Sequence, residues 1–117
     1  MTEYTYTLDQ LREVTEEQVI ALFLNYKNVQ KYGGVKLHNY STADSGTIKA
    51  SSPQAACEEL FRIYNIDLPA GYAGRSMSVS DIVHLWDNTT DTPVKTSWFC
   101  DSFGFVQIDE NGKAVQK

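Results

Sequence analysis

The stretch from Phe61 to Phe105 leaves few folds open. A helical apolar pattern runs to Tyr64-Asn65, and a loop with Pro69, Gly71 and Gly74 follows. Ser76-Met-Ser-Val-Ser-Asp81 then alternates in polarity and passes into Ile82-Val-His-Leu-Trp86, an extended entry followed by a strand. Asp81 stands just before that strand, where its carboxylate can accept backbone N–H bonds and set the turn. Asp87 to Pro93 is a polar hairpin loop. Lys95–Cys100 and Gly104–Ile108 are two more strands, divided by a tight turn at Asp101-Ser-Phe-Gly104. A helix followed by a three-strand meander places helices on one face of an antiparallel sheet.

Upstream, Thr7-Leu-Asp-Gln10 and Thr15-Glu-Glu-Gln18 both have the form of a capping box. They predict a short helix over residues 8–13 and a longer one over 16–31. Val19, Ile20, Phe23 and Leu24 form the apolar stripe of the longer helix, and Gly33-Gly34 ends it. Val35–Tyr40 alternates as a strand, Ser41–Gly46 reads as a polar turn, and Thr47–Ala50 pairs back as a short strand. Ser52-Pro53 is an N-cap with proline at the first helical position, and Ala56, Cys57, Leu60, Phe61 and Tyr64 mark one helix face. The expected fold is α+β: a small, mostly antiparallel sheet of about four or five strands with about three helices packed on it. The length of 117 residues suits one domain, 1–117. Within it, a helical segment 1–34 precedes an α+β core 35–110.

The blocks at 61–105 resemble the YodL-like domain family. Tyr64-Asn65 stands at the end of the family's helix and Leu68-Pro-Ala-Gly-Tyr-Ala-Gly74 carries its loop. Arg75-Ser-Met-Ser-Val-Ser-Asp-Ile-Val83 matches its serine block with Met77 for leucine, and Asp101-Ser-Phe-Gly-Phe105 matches in full. Met1–Tyr40 departs from the expected family pattern, which makes it the segment that individualises this chain. The resemblance implies an accessory protein of bacterial mobile elements and phages, and it brings no catalytic residues with it.

The formal charge is −5. Residues 1–26 carry Glu3, Asp9, Glu13, Glu16 and Glu17 against Arg12 alone, a net of −4, which leaves −1 for the rest. No basic run exists to neutralise phosphates, so direct nucleic-acid binding is not expected. Trp86, Trp98, Phe99, Tyr26 and Tyr40 are enough aromatics for a stacking platform, but a single-strand binder also needs a positive groove. In a sheet, Trp86 and Trp98 read instead as a cross-strand pair. Met1-Thr-Glu-Tyr-Thr-Tyr6 has no basic start and no apolar run approaches membrane length, so a cytoplasmic protein is expected. Cys57 and Cys100 read as buried free thiols.

Candidate chemistry is thin. His84 and Cys100 fall on strands that should neighbour each other, with Asp101 or Asp87 available to orient the imidazole of a thiol enzyme. His38, His84, Cys57 and Cys100 are the possible metal ligands, without the short paired spacing that structural zinc prefers. Glu16-Glu17 and Glu58-Glu59 diverge on a helix and make no acid–base dyad. There is no glycine-rich phosphate loop, and no cofactor is expected. These readings favour a non-enzymatic binding protein of a phage or mobile element. Its most concrete form is a counter-defence inhibitor of a host CRISPR or restriction nuclease, with Glu13, Glu16, Glu17, Tyr4 and Tyr6 as contact residues. A metal-binding or thiol enzyme and an accessory module in conjugative DNA processing are the alternatives.

Overall fold

The computed structural model describes residues 1–115. Five strands form one antiparallel sheet in the order β2-β1-β3-β4-β5: β1 Thr2–Leu11, β2 Tyr40–Ala50, β3 Ile82–Asp87, β4 Lys95–Cys100 and β5 Phe105–Ile108. Three helices accompany it: α1 Glu16–Ala21, α2 Tyr26–Val29 and α3 Pro53–Ile66. The α+β class and the meander β3-β4-β5 agree with the sequence reading.

The N-terminal third differs. Residues 8–13 are not a helix, because Tyr4, Tyr6 and Leu8 alternate with Thr5, Thr7 and Asp9 at the period of a strand whose apolar side is buried. The side chain of Gln10, taken as half of a capping box, instead donates to Asp81 Oδ2 at 3.0 Å and to the Arg75 carbonyl at 2.9 Å. Residues 1–34 are therefore no helical annex to a core at 35–110. β1 lies between β2 and β3 and is hydrogen-bonded to both. Since both flanking strands run antiparallel to it, β2-α3-β3 is a crossover with β1 inserted in its middle.

The second expected helix, 16–31, is two short ones. Its capping box is real: Thr15 accepts from the Gln18 N–H and Gln18 accepts from the Thr15 N–H. The chain breaks at Phe23, which has φ of 68°, and Asn25 caps α2. Val35–Tyr40 is not a strand but contains a 3-10 turn at Leu37–Asn39. The stretch 41–46, read as a turn, is the middle of β2, and β2 pairs with β1. Its serines and Asp44 hid a strand because β2 is an edge with one polar side.

α3 forms as expected, capped by Ser52 with Pro53 behind it. Ala56, Cys57, Leu60 and Tyr64 pack onto Tyr4, Tyr6, Leu8, Met77, Val83, Leu85 and Trp98. Within this layer Tyr64 donates to Asp44 Oδ2 at 2.7 Å, and its hydroxyl lies 2.8 Å from that of Tyr6. On the opposite face of the sheet Val29, Val35, Ile82, Phe99 and Ile108 cluster at one end under the segment carrying α1 and α2, and among the described residues the other end is open.

α1 sits inside out. Gln18 is 1% exposed, while Val19 and Ile20 are 54% and 40% exposed. Gln18 Oε1 receives the N–H groups of Val14 and Thr15, at 3.0 and 2.9 Å. Gln18→Ala leaves those donors without their acceptor and should cost about 1–3 kcal/mol in a chemical denaturation series. Val19→Ser and Ile20→Ser should stay within about 0.5 kcal/mol of wild type, although by residue type they look the more damaging.

Candidate functional site

Three places collect the residues that chemistry or binding requires. The first is the solvent side of α1. Val19, Ile20, Phe23 (54% exposed) and Tyr32 (56% exposed) leave apolar surface open, and Glu16, Glu17, Ile20 and Tyr32 line a shallow recess of about 280 Å³. Glu17 pairs with Lys36 at 2.6 Å, which holds its carboxyl below the usual range, and Glu13 pairs with Arg75 at 2.9 Å. Both are surface pairs of small energetic value. The expected contact residues Glu13, Glu16 and Glu17 are thus accessible. Tyr4 and Tyr6 are not, since they lie 5% and 8% exposed beneath α3. A strand's alternation sends them inward, into the layer beneath α3 rather than onto the surface.

The second place is a row across the open part of the sheet. Asp9, His84 and Ser97 come from β1, β3 and β4. The Asp9 Oδ2 to His84 Nε2 distance is 3.2 Å and His84 Nδ1 to Ser97 Oγ is 2.7 Å. Thr42 donates to Asp9 Oδ1 at 2.9 Å, brought there by the register shift of β2 after Leu8. Burial opposes charge on Asp9, but the bonds from His84 and Thr42 outweigh it and hold the carboxyl below its ordinary value. An ionised Asp9 accepts only, so Nε2 is the donor, and in the neutral imidazole Nδ1 accepts the Ser97 hydroxyl, the polarity a general base needs. Ser97 also lines a depression of about 370 Å³ with Lys95, Gln107 and Asp109. Its backbone pairs with His84 on one side and Ile108 on the other, so its own amide belongs to the ladder. Sequence spacing gave no sign of this row; only strand register makes it.

The third place holds the expected thiols, and the geometry separates them from the histidines. Cys57 is in the core layer under α3, and alternation along β4 turns Cys100 to that same side, away from His84. Burial pushes the Cys100 thiol up to about 12 and the Cys57 thiol higher still, which is the reverse of what a nucleophilic thiolate requires. His38 is exposed in the Leu37–Asn39 turn. The two cysteines thus share a side that neither histidine reaches, and among the described residues no group of three or more His, Cys, Asp or Glu is placed to hold a metal. The aromatic platform also dissolves: Trp98 and Phe99 are buried, and Trp86 faces Lys95 across the strands, the ammonium 5.5 Å from its ring centre, rather than Trp98.

A buried knot ties these places together. Asp81, 1% exposed, accepts from the Ser78 N–H and from Gln10, both at 3.0 Å, as its position before β3 predicts. Its other oxygen has no partner among the described residues. Next to it Ser80, with φ of 85°, accepts the Phe23 N–H at 3.1 Å, so two non-glycine residues in the left-handed region hold each other. Burial pushes the Asp81 carboxyl up to about 6. A raised carboxyl favours the folded state below the unfolded value near 3.8, and that advantage is lost as pH rises through about 6. Asp81→Asn carries no such charge. Between pH 4 and 7 wild type should lose roughly 2 kcal/mol of stability relative to this variant, measured by denaturant unfolding across pH.

A family model described as a YodL-like domain matches residues 5–110. The match begins inside β1, so the N-terminal strand and the α1 segment are part of the family's own structure and not an individual addition. No curated protein and no solved structure matches the chain.

Proposed function

The chain belongs to the YodL-like domain family, and we propose that it is a binding protein that docks on a partner through the solvent face of α1. The observation that carries this reading is the inversion of α1, with Gln18 inside and Val19 and Ile20 outside. The inward turn of Gln18 serves the backbone before the helix, but the exposure of Val19 and Ile20 buries nothing for the fold, and exposed apolar clusters with a polar rim mark interaction sites. Glu16 and Glu17 border the patch, and the chain's charge of −5 adds to their field. The fitting partner is a basic protein surface with an apolar recess. The most concrete version is a counter-defence inhibitor made by a phage or mobile element and acting in the host cytoplasm. It covers the basic nucleic-acid channel of a CRISPR or restriction nuclease.

The test is an inhibition assay on purified host CRISPR and restriction nucleases. Wild-type protein should slow cleavage by at least one of them. The double variant Val19→Asp/Ile20→Asp and the single variant Glu16→Lys should weaken the effect about tenfold or more, with thermal stability unchanged. Inhibition that survives all three substitutions moves the contact off α1.

One observation favours a second reading. The Asp9–His84–Ser97 row has the donor and acceptor order of an acyl-transfer site. An active row would make Ser97 react with a fluorophosphonate probe, and His84→Gln would abolish the labelling. Intact-mass spectra without adduct on folded wild-type protein would leave the row as a brace between three strands.

A further inference from the structure

The turn Asp101-Ser-Phe-Gly104 presents Phe103 at 97% exposure, the most exposed residue of its size in the core-forming strands and their turns. A fully solvated phenylalanine contributes no burial to the fold and keeps its whole apolar area available to a partner. The turn beneath it is not loose. The Asp101 N–H donates to the Gly104 carbonyl at 3.0 Å, with Gly104 at φ of 74°. Asp101 Oδ1 accepts from the N–H groups of Ser102 and Tyr26, at 2.9 and 3.0 Å. Asn25 donates to Ser102 Oγ at 3.1 Å. The strand pair β4-β5 holds the turn from behind and the loop before α2 pins it from the side. An aromatic side chain on a turn fixed this way loses little backbone freedom on binding.

Beside Phe103 lies a recess of about 260 Å³ lined by Glu58, Phe61, Cys100, Asp101, Ser102, Gly104 and Phe105. Its walls combine aromatic rings with two carboxylates, and no base lines it. Phe61 adds apolar surface at 39% exposure. That chemistry suits a Lys or Arg side chain, whose methylenes pack on the rings while its head meets the carboxylates.

We propose that the Phe103 turn is a second docking site, for a partner segment that packs apolar side chains on Phe103 while its Lys or Arg enters the recess. The site rests on the reading of the chain as a binding protein and gives its partner a chemistry: a basic residue next to apolar ones. The Asn25–Ser102 bond places the loop that follows Phe23, which carries the cap of α2, against this turn.

The test uses a display library of random short peptides selected on immobilised wild-type protein. Selected peptides should pair Lys or Arg with apolar residues. Their synthetic versions should lose about tenfold or more in affinity for Phe103→Ala and for Glu58→Gln, read by fluorescence anisotropy. Both substitutions are at exposed positions, and unchanged melting temperatures confirm that the fold is intact. No enrichment over an unrelated protein overturns the proposal. So do selected peptides that bind Phe103→Ala as well as wild type; if those peptides fail on Val19→Asp/Ile20→Asp, the α1 site stands and the Phe103 site falls. Pelleting with phosphatidylcholine vesicles that is lost in Phe103→Ala overturns it in favour of a membrane surface.

Discussion

Everything in this molecule depends on β1 being held on both of its edges. A strand inserted between two parallel neighbours must satisfy two ladders at once, and its two side-chain rows must suit two different layers. One row, Tyr4, Tyr6 and Leu8, fills the layer under α3. The other, Thr5, Thr7 and Asp9, faces the open side, where Asp9 reaches His84. A slip of one residue would exchange the rows, placing a carboxylate under α3 and tyrosines in solvent. Burial on one side and the Asp9 and Gln10 bonds at the far end therefore specify the register together.

The second constraint is the junction before β3. Asp81, Ser80 and Gln10 bring together the serine block, the end of β1 and the break between α1 and α2. Among the described residues its buried side-chain polar atoms are paired, except for one Asp81 oxygen. Burying that group raises its proton affinity instead of finding it a partner. The junction also explains why the stretch 16–31 cannot be one helix. With the Phe23 N–H committed to Ser80, the backbone turns there into the left-handed region, and the apolar residues on either side diverge.

Both surfaces proposed for binding adjoin this junction. α1 turns Val19 and Ile20 outward because Gln18 is needed inside to satisfy the backbone before the helix. The Phe103 turn is held by Asp101 and by Asn25 of the next loop. Their apolar side chains are thus exposed by the same polar bonds that make the core rigid, the arrangement expected of a surface built for contact rather than of a poorly packed one.

Much of the fold was legible. Period-two alternation and tight turns located β3, β4 and β5, and Ser52-Pro53 located α3, because those signals are local. β1 was legible too, since Tyr4, Tyr6 and Leu8 alternate, but the Thr7–Gln10 spacing imitates a capping box and outweighed it. β2 and the inversion of α1 were not legible, for an edge strand needs few apolar residues and helical periodicity marks a stripe without saying which way it faces. Of the candidate site, Glu13, Glu16 and Glu17 were visible as exposed acids, whereas Tyr4 and Tyr6 were misplaced with the strand that carries them. By itself the sequence determined the helix and meander between residues 53 and 108, which depend on neighbours a few positions apart. Only the tertiary structure decided that β1 enters the sheet, that Asp9, His84 and Ser97 meet, and that Val19, Ile20 and Phe103 stay in water, since each depends on pairings between distant residues and on which face is already occupied.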